Sequence, residues 1–138
     1  MTHALTSIRQ AAVALLQARF QRVYAHRTAI VKAQQMPCVF VYVNGRRSSK
    51  IGLSPPMYQH TVNLAVVLCV QDNENAEYLI NQMLGEVETL FAQSSDLAIP
   101  NLVQSLEPTA LSIEQDDTGE INTLYYQQNF NVVYFSGD

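Results

Sequence analysis

The chain has 138 residues, the size of one ordinary domain, and 14% of them are charged, against about 25% in a typical globular domain. It contains no apolar run near the roughly 18 residues that a membrane-spanning helix needs, and polar residues interrupt its start, where a secretion signal would lie. We therefore expect a single domain over residues 1–138 that is soluble and cytosolic, and we exclude a transmembrane protein.

Charge is divided along the chain. All eight Lys and Arg residues lie between Arg9 and Lys50, and all twelve Asp and Glu residues lie between Asp72 and Asp138, which gives a net charge of −4. Two arrangements are consistent with this division: the basic and acidic elements face each other within one fold, or they form opposite surfaces that join identical copies head to tail. The second arrangement predicts an assembling protein.

The N-terminal part has the periodicity of a helix. Apolar residues recur at three- and four-residue intervals from Leu5 to Phe20, which predicts an amphipathic helix. After an irregular stretch, Pro37 precedes the run Cys38–Val43, whose members are β-branched, aromatic or cysteine. This run predicts a central strand that is buried on both faces.

Residues 44–59 lack a regular alternation of apolar and polar side chains. The segment contains two glycines and two prolines, which disrupt a paired strand, and three cations, Arg46, Arg47 and Lys50. We expect a long, flexible, positively charged loop, and loops of more than about 12 residues in compact domains usually have a function or become ordered by a partner. The three cations are therefore the first candidates for a functional surface.

The remaining elements are more regular. Alternation over residues 60–70 predicts a strand with one apolar and one mixed face, and a helical stripe over residues 76–91 predicts a second helix. The next strand is expected at about residues 102–114, and Pro108 confines it to a sheet edge or a bulge. The alternation of residues 123–134 predicts a further strand that pairs with it as a hairpin. This order predicts an α+β fold, with a mostly antiparallel, mixed sheet of four to five strands and two helices packed on one face.

One triplet resembles a catalytic motif. Asp117-Thr118-Gly119 matches the triplet that carries the catalytic carboxylate of aspartic proteases, but polar residues flank it where those enzymes have apolar strand residues that bury the carboxylate pair. A hairpin turn is the better interpretation, because Asp, Thr and Gly are turn residues. A calcium site with Asp116, Asp117 and Glu120 would have suitable oxygen atoms but would lack the ligand spacing of known loops.

Histidine and cysteine residues give no metal signature. His3, His26 and His60 are far apart and show no ligand spacing, which predicts ordinary surface or strand-end histidines. Cys38 and Cys69 lie in apolar runs without a CxxC spacing, which predicts free buried thiols. The sequence therefore predicts no catalytic residues, no metal and no cofactor, and we expect no enzyme.

Four further residues are candidates for an interface. Tyr42 and Tyr125 are either half-exposed sheet residues or interface anchors, since tyrosine combines a large apolar surface with a polar tip. Asp116 and Asp117 belong to the acidic part of the chain and would meet a basic surface of another copy.

Several stretches, taken in order, resemble one family. They are MPCVFVYV, HTVNLAVVLCV and LVQSLEPTALSIEQDDTGEINTLYYQQNFNVVYF, separated by the long basic segment and the second helix. Together they look like the minor tail protein U family, the tail terminators of long-tailed phages and prophages. The resemblance implies a hexameric ring on the tail tube, which stops tube polymerisation and presents the surface for head attachment. It also implies three partners: other copies of the chain, the tail tube protein and a head-completion or connector protein.

The sequence thus predicts a non-enzymatic assembly protein that acts in the host cytoplasm and remains in the virion tail. The basic part of one subunit would contact the acidic part of the next, and Arg46, Arg47 and Lys50 would face a ring neighbour or make non-specific contacts with DNA in the lumen. Two alternatives remain: another ring protein of the head–tail neck, and a small nucleic-acid-binding module that uses the same cations. A pI near 5.2 is unusual for a free nucleic-acid binder.

Overall fold

The computed structural model describes residues 3–26, 33–117 and 122–137. Its elements are, in chain order, α1 (Ala4–Gln17), β1 (Val23–Tyr24), a 3₁₀ turn (Ala33–Gln35), β2 (Cys38–Leu53), β3 (Pro56–Gln71), α2 (Ala76–Gln93), β4 (Val103–Asp116) and β5 (Thr123–Ser136). Five strands form one sheet in the order β1-β2-β3-β5-β4, and only the β1–β2 pair is parallel. The expected α+β fold with a mostly antiparallel, mixed sheet is confirmed.

Both helices pack on the same face of the sheet, which we call the helix face. In α1 the buried residues Ile8, Ala12 and Leu16 recur every four positions and form one stripe. The buried stripe of α2 is Ala76, Ile80, Met83, Val87, Leu90 and Phe91. Both stripes pack into one core with β2, β3 and β5. In this core the rings of Phe91 and Phe130 pack edge to face, with their centroids 4.7 Å apart. Within the described residues, no helix is long and apolar enough to cross a membrane.

The opposite side of the sheet, which we call the second face, is also apolar at one end. Val67 and Cys69 of the central strand β3 are fully buried there, although the alternation of the sequence predicts only a mixed face. They pack with Phe40, Met36 and Tyr125 in a separate small core. Cys38 lies directly opposite Cys69, and both are buried thiols outside any disulfide, as their apolar surroundings predict.

Residues 44–59 do not form the flexible loop that their glycines and prolines predict. β2 continues through this segment to Leu53 and β3 begins at Pro56, so that the two strands are paired almost to the tip of a long hairpin. The strand register shifts between Val43 and Gly45 and again between Lys50 and Gly52, so that Asn44 and Ile51 are the extra residues of two bulges and both glycines remain paired with β3. Pro56 is the first residue of its strand, where the missing N–H is tolerated. We call residues 44–59 the basic hairpin.

The acidic part of the chain supplies the other edge of the sheet. β4 pairs only with β5, which confirms the edge position that Pro108 predicts, and its register shifts between Pro108 and Leu111. The β4–β5 hairpin is also confirmed. Its turn residues 118–121, including most of the Asp117-Thr118-Gly119 triplet, lie outside the described residues.

Candidate assembly surface

Two strand edges of the sheet are not covered by any strand in the described residues. β1 pairs with β2 only at Val39 and Phe40, so the outer edge of β2 has no strand partner from residue 41 to residue 53. At the other end of the sheet, the outer edge of β4 is open over its whole length, Val103–Asp116. Open edges present unpaired backbone N–H and C=O groups to which another strand can bind.

These two edges carry opposite charges. The exposed cations of β2 are Arg46, Arg47 and Lys50. The acidic residues at the β4 edge are Glu107, Glu114, Asp116 and Asp117. The sheet order places β2 and β4 on either side of β3 and β5, so the division of charge along the chain becomes a division across the sheet.

The described basic side chains of β2 make no direct contact with a described carboxylate. Arg27 and Lys32 lie outside the described residues, and none of the other six Lys and Arg side chains forms an ion pair with a described carboxylate. Arg19 and Arg22 share a shallow groove with Glu86, so the two kinds of charge also come near each other between α1 and α2. The exposed cations of β2 nevertheless keep their charge available to another molecule.

The three cations of the basic hairpin do not form one patch. Arg46 is in register with Val62, a core residue of the helix face, whereas Arg47 lies on the second face because neighbouring strand residues point to opposite sides. Lys50 lies on the same side as Arg46. Arg46 is also held within the subunit, since its Nη1 donates a hydrogen bond of 2.8 Å to the hydroxyl of Tyr134. A single phosphate-binding surface built from all three cations is therefore not present.

The four predicted interface residues differ in their accessibility. Tyr125 is 5% exposed and belongs to the small core of the second face, so the expectation of a half-exposed residue is wrong for it. Tyr42 is half-buried, and its hydroxyl donates a 3.5 Å hydrogen bond to Oε1 of Gln127. Asp116 is partly buried at the end of β4, and Asp117 is exposed directly after it. Of the four, Asp117 is the most accessible to a partner.

A buried polar cluster at the base of the basic hairpin is absent from the sequence predictions. His60 is 4% exposed, and its Nδ1 and Nε2 lie 2.6 Å from the Ser48 hydroxyl and 2.7 Å from the Ser136 hydroxyl, respectively. Its ring stacks on Tyr134 at a centroid distance of 4.6 Å. The cluster joins three neighbouring strands, β2, β3 and β5. One signal was present in the sequence: His60 stands in phase with the apolar residues Val62 and Leu64.

The surroundings of His60 favour its neutral form. Burial lowers the pKa of His60 below its ordinary value, and the charges of Arg46 and His3 lower it further. A neutral imidazole has one donor and one acceptor nitrogen, and each can bond to a serine hydroxyl. The cluster is thus fully hydrogen-bonded without any ion. No group of three or more His, Cys, Asp or Glu side chains in the described part of the chain is placed to hold a metal ion.

Large apolar side chains are exposed at both edges. At the hairpin tip, Ile51 is 54% exposed, Leu53 80% and Met57 38%. On β4, Leu111 and Ile113 lie on the helix face beyond the reach of α2 and are 42% and 60% exposed. Clustered exposed apolar residues commonly mark a protein–protein contact. The same two regions that carry the opposite charges are therefore also the regions with uncovered apolar surface.

Comparison of the chain with protein-family models gave no match, and comparison with curated proteins gave no significant match. The arrangement of edges, charges and exposed apolar residues is therefore the basis for a functional proposal.

Proposed function

We propose that this protein is a non-enzymatic tail terminator of a phage or prophage. In this role it forms a hexameric ring on the end of the tail tube, stops tube polymerisation and provides the surface to which the head attaches. The observation that carries the proposal is the position of basic and acidic residues on opposite, open edges of one sheet. A subunit with two different, complementary edges joins head to tail, and such contacts close into a ring when the rotation per copy divides a full turn.

The proposal assigns different partners to different surfaces. The charged edges bind other copies of the chain, which makes assembly sensitive to salt, because exposed charges are screened over about 10 Å at 0.1 M ionic strength. The exposed apolar tip of the basic hairpin, Ile51, Leu53 and Met57, offers a separate surface for the tail tube protein or for a head-completion protein. Assembly takes place in the host cytoplasm, and the ring remains in the virion tail.

The position of Arg46, Arg47 and Lys50 weighs against the nucleic-acid-binding alternative. Arg47 lies on one face of the sheet, and Arg46 and Lys50 lie on the opposite face. The three side chains therefore do not form one surface for the phosphate backbone of a nucleic acid. Contact of either face with DNA in the lumen of a ring stays compatible with the proposed role.

Tube polymerisation in the presence and absence of the protein tests the proposal. The tail tube protein of the same phage or prophage is allowed to polymerise, and tube lengths and ends are measured by electron microscopy. We expect the protein to cap tube ends with rings and to stop elongation, and phages without it to carry tails of excessive length. Unchanged tube lengths and bare ends would contradict the proposal. Tails of normal length that fail to join heads would instead favour another ring protein of the neck.

A further inference from the structure

We infer that neighbouring copies join by continuing the β-sheet: β4 of one copy adds to the outer edge of β2 of the next, and Glu107 of the first lies beside Arg47 of the second. This inference rests on the proposed ring, and it specifies the contact from which the ring is built. The partner it requires is a second copy of this chain.

Charge selects this pairing among the three that two open edges allow. Pairing β2 with β2 would bring the cations of two basic hairpins together, and pairing β4 with β4 would bring two rows of carboxylates together. Like charges on adjacent strands are destabilising, whereas opposite charges stabilise the pair. Only the pairing of β2 with β4 places opposite charges side by side, and that contact is heterologous.

The strand directions are compatible with this contact. β4 is antiparallel to β5, β5 to β3 and β3 to β2, so β4 and β2 of one copy run in opposite directions. Rotation about an axis parallel to the strands keeps each strand direction unchanged. β4 therefore meets β2 of the neighbouring copy in antiparallel orientation, and the contact extends the antiparallel part of the sheet.

The register within one copy shows which residues meet. Across the sheet, Glu107 of β4 pairs with Asn131 of β5, Asn131 pairs with Asn63 of β3, and Asn63 pairs with Gly45 of β2. These four residues are therefore level with one another, and all four lie on the second face. Arg47 lies two residues further along β2, on that same face. In a copy related by rotation without a shift along the strands, Glu107 is opposite Gly45 of the neighbour and diagonal to Arg47, at a spacing of about 7–8 Å between Cα atoms that long side chains span.

The surroundings of Arg47 leave room for a carboxylate. A Cβ atom added at Gly45 would have no neighbour within 4 Å, so the space above this residue is open. Arg47 borders a polar depression together with Thr61, Asn63 and Asn131. Arg47 is exposed and has no ion-pair partner in the described residues, and Glu107 is exposed as well. Each side chain is thus available to the other across a copy boundary.

Pro108 limits the length of the shared ladder. It has no N–H group, and the register of β4 shifts after it. The part before it, Val103–Glu107, is level with residues 45–48 of β2 and contains one further register shift, between Val103 and Ser105. The part after it is level with Val39 and Phe40, where β1 already pairs with β2. We therefore place the backbone hydrogen bonds between copies in these two segments, with Glu107 at the end of the ladder.

Charge reversal tests the contact. Glu107→Arg and Arg47→Glu are prepared separately, and rings are measured by native mass spectrometry and electron microscopy, both in solution and on tube ends. We expect each variant alone to need roughly tenfold or more protein than the wild type to form rings, since like charges then meet at every contact.

Mixing the two variants should reverse the defect. In a ring of alternating copies, the two introduced side chains meet at one contact, and the native Glu107 and Arg47 meet at the next, so every contact again joins opposite charges. An equimolar mixture should therefore regain ring formation. Glu88→Arg, an exposed change on α2 away from both edges, is the matched control and should assemble like the wild type.

The outcomes separate this inference from the proposed function. Rings that form at unchanged concentration in both single variants, or folded variants that do not assemble when mixed, would overturn the edge contact and leave the terminator proposal standing. Two-fold dimers would exclude a heterologous contact altogether. Variants that keep their rings in solution but no longer cap tubes would show that the edge binds the tube protein instead of a second copy. If ring formation is weakened by each single charge reversal and restored in the mixture, but the rings do not change tube length, only the proposed function would be overturned.

Discussion

Nδ1 of His60 lies 2.6 Å from the hydroxyl of Ser48 on the neighbouring strand, at the point where the basic hairpin leaves the part of the sheet that the helices cover. Ser136 binds the other ring nitrogen from β5, so the imidazole connects three strands. This contact orders the hairpin on which Arg46 and Arg47 lie. The surface that we propose for assembly is therefore part of the folded subunit before any partner binds.

The stability of the subunit should depend on pH through His60. Its pKa is lowered in the folded protein, so the unfolded chain binds a proton at a higher pH than the folded chain does. The stabilisation is complete above the unfolded pKa of about 6.5 and is lost as the pH falls below it towards the folded pKa. Urea unfolding between pH 5 and 8 measures this decrease. His60→Gln should remove most of it, whereas His26→Gln, a change at an exposed histidine, should retain it.

Removal of the Ser48 hydroxyl should weaken the fold. Ser48→Ala leaves one nitrogen of a buried histidine without its partner, which costs about 1–3 kcal/mol of unfolding free energy. Ser49→Ala is the matched control, because Ser49 is exposed on the other face of the same strand, and surface changes of this kind stay within about 0.5 kcal/mol. Equal stability of the two variants in denaturant titrations would show that the cluster does not fasten the hairpin.

Amide hydrogen exchange should show the basic hairpin as ordered in the isolated subunit. The amides of β2 that point towards β3 are hydrogen-bonded and should be protected, whereas those that point to the open edge should exchange rapidly. On ring formation, edge amides within residues 45–48 should gain protection. Uniformly fast exchange over residues 44–59 would contradict the paired hairpin and support a flexible loop.

Arg46 and Arg47 should have separable effects. Arg46→Ser removes a hydrogen bond to Tyr134 and should lower the unfolding free energy by about 1 kcal/mol. Arg47→Ser removes no described contact and should change it by less than about 0.5 kcal/mol, yet it should weaken ring formation more. Thermal unfolding and native mass spectrometry on the same samples measure both effects. A larger loss of stability at Arg47 would show that its side chain serves the fold instead.

No peptide hydrolysis is expected from Asp117. The residue is exposed after β4, whereas the catalytic carboxylates of aspartic proteases lie as a buried pair. The purified protein and Asp117→Asn should be equally inactive on a broad peptide library between pH 4 and 7. Cleavage by the wild type that disappears in the variant would contradict this prediction.

Local patterns in the sequence determined the elements whose periodicity is strong. The stripes of α1 and α2, the alternation that ends β3 and the edge position of Pro108 are all visible without coordinates. Each depends on neighbours within a few residues, or on a backbone group that proline lacks, so the sequence carries the information directly. The division of charge is likewise a property of the sequence alone.

Only the tertiary structure decided that residues 44–59 form paired strands and that His60 is buried. Gly45, Gly52 and the prolines indicate a loop locally, but pairing with β3 along the whole hairpin outweighs these local preferences. Two bulges accommodate the residues of β2 that have no partner on β3. His60 is buried only because Ser48, Ser136 and Tyr134, which are distant in sequence, meet around it. The sheet order that places basic and acidic residues on opposite edges also follows from long-range pairing, because strand periodicity identifies a strand without identifying its neighbour.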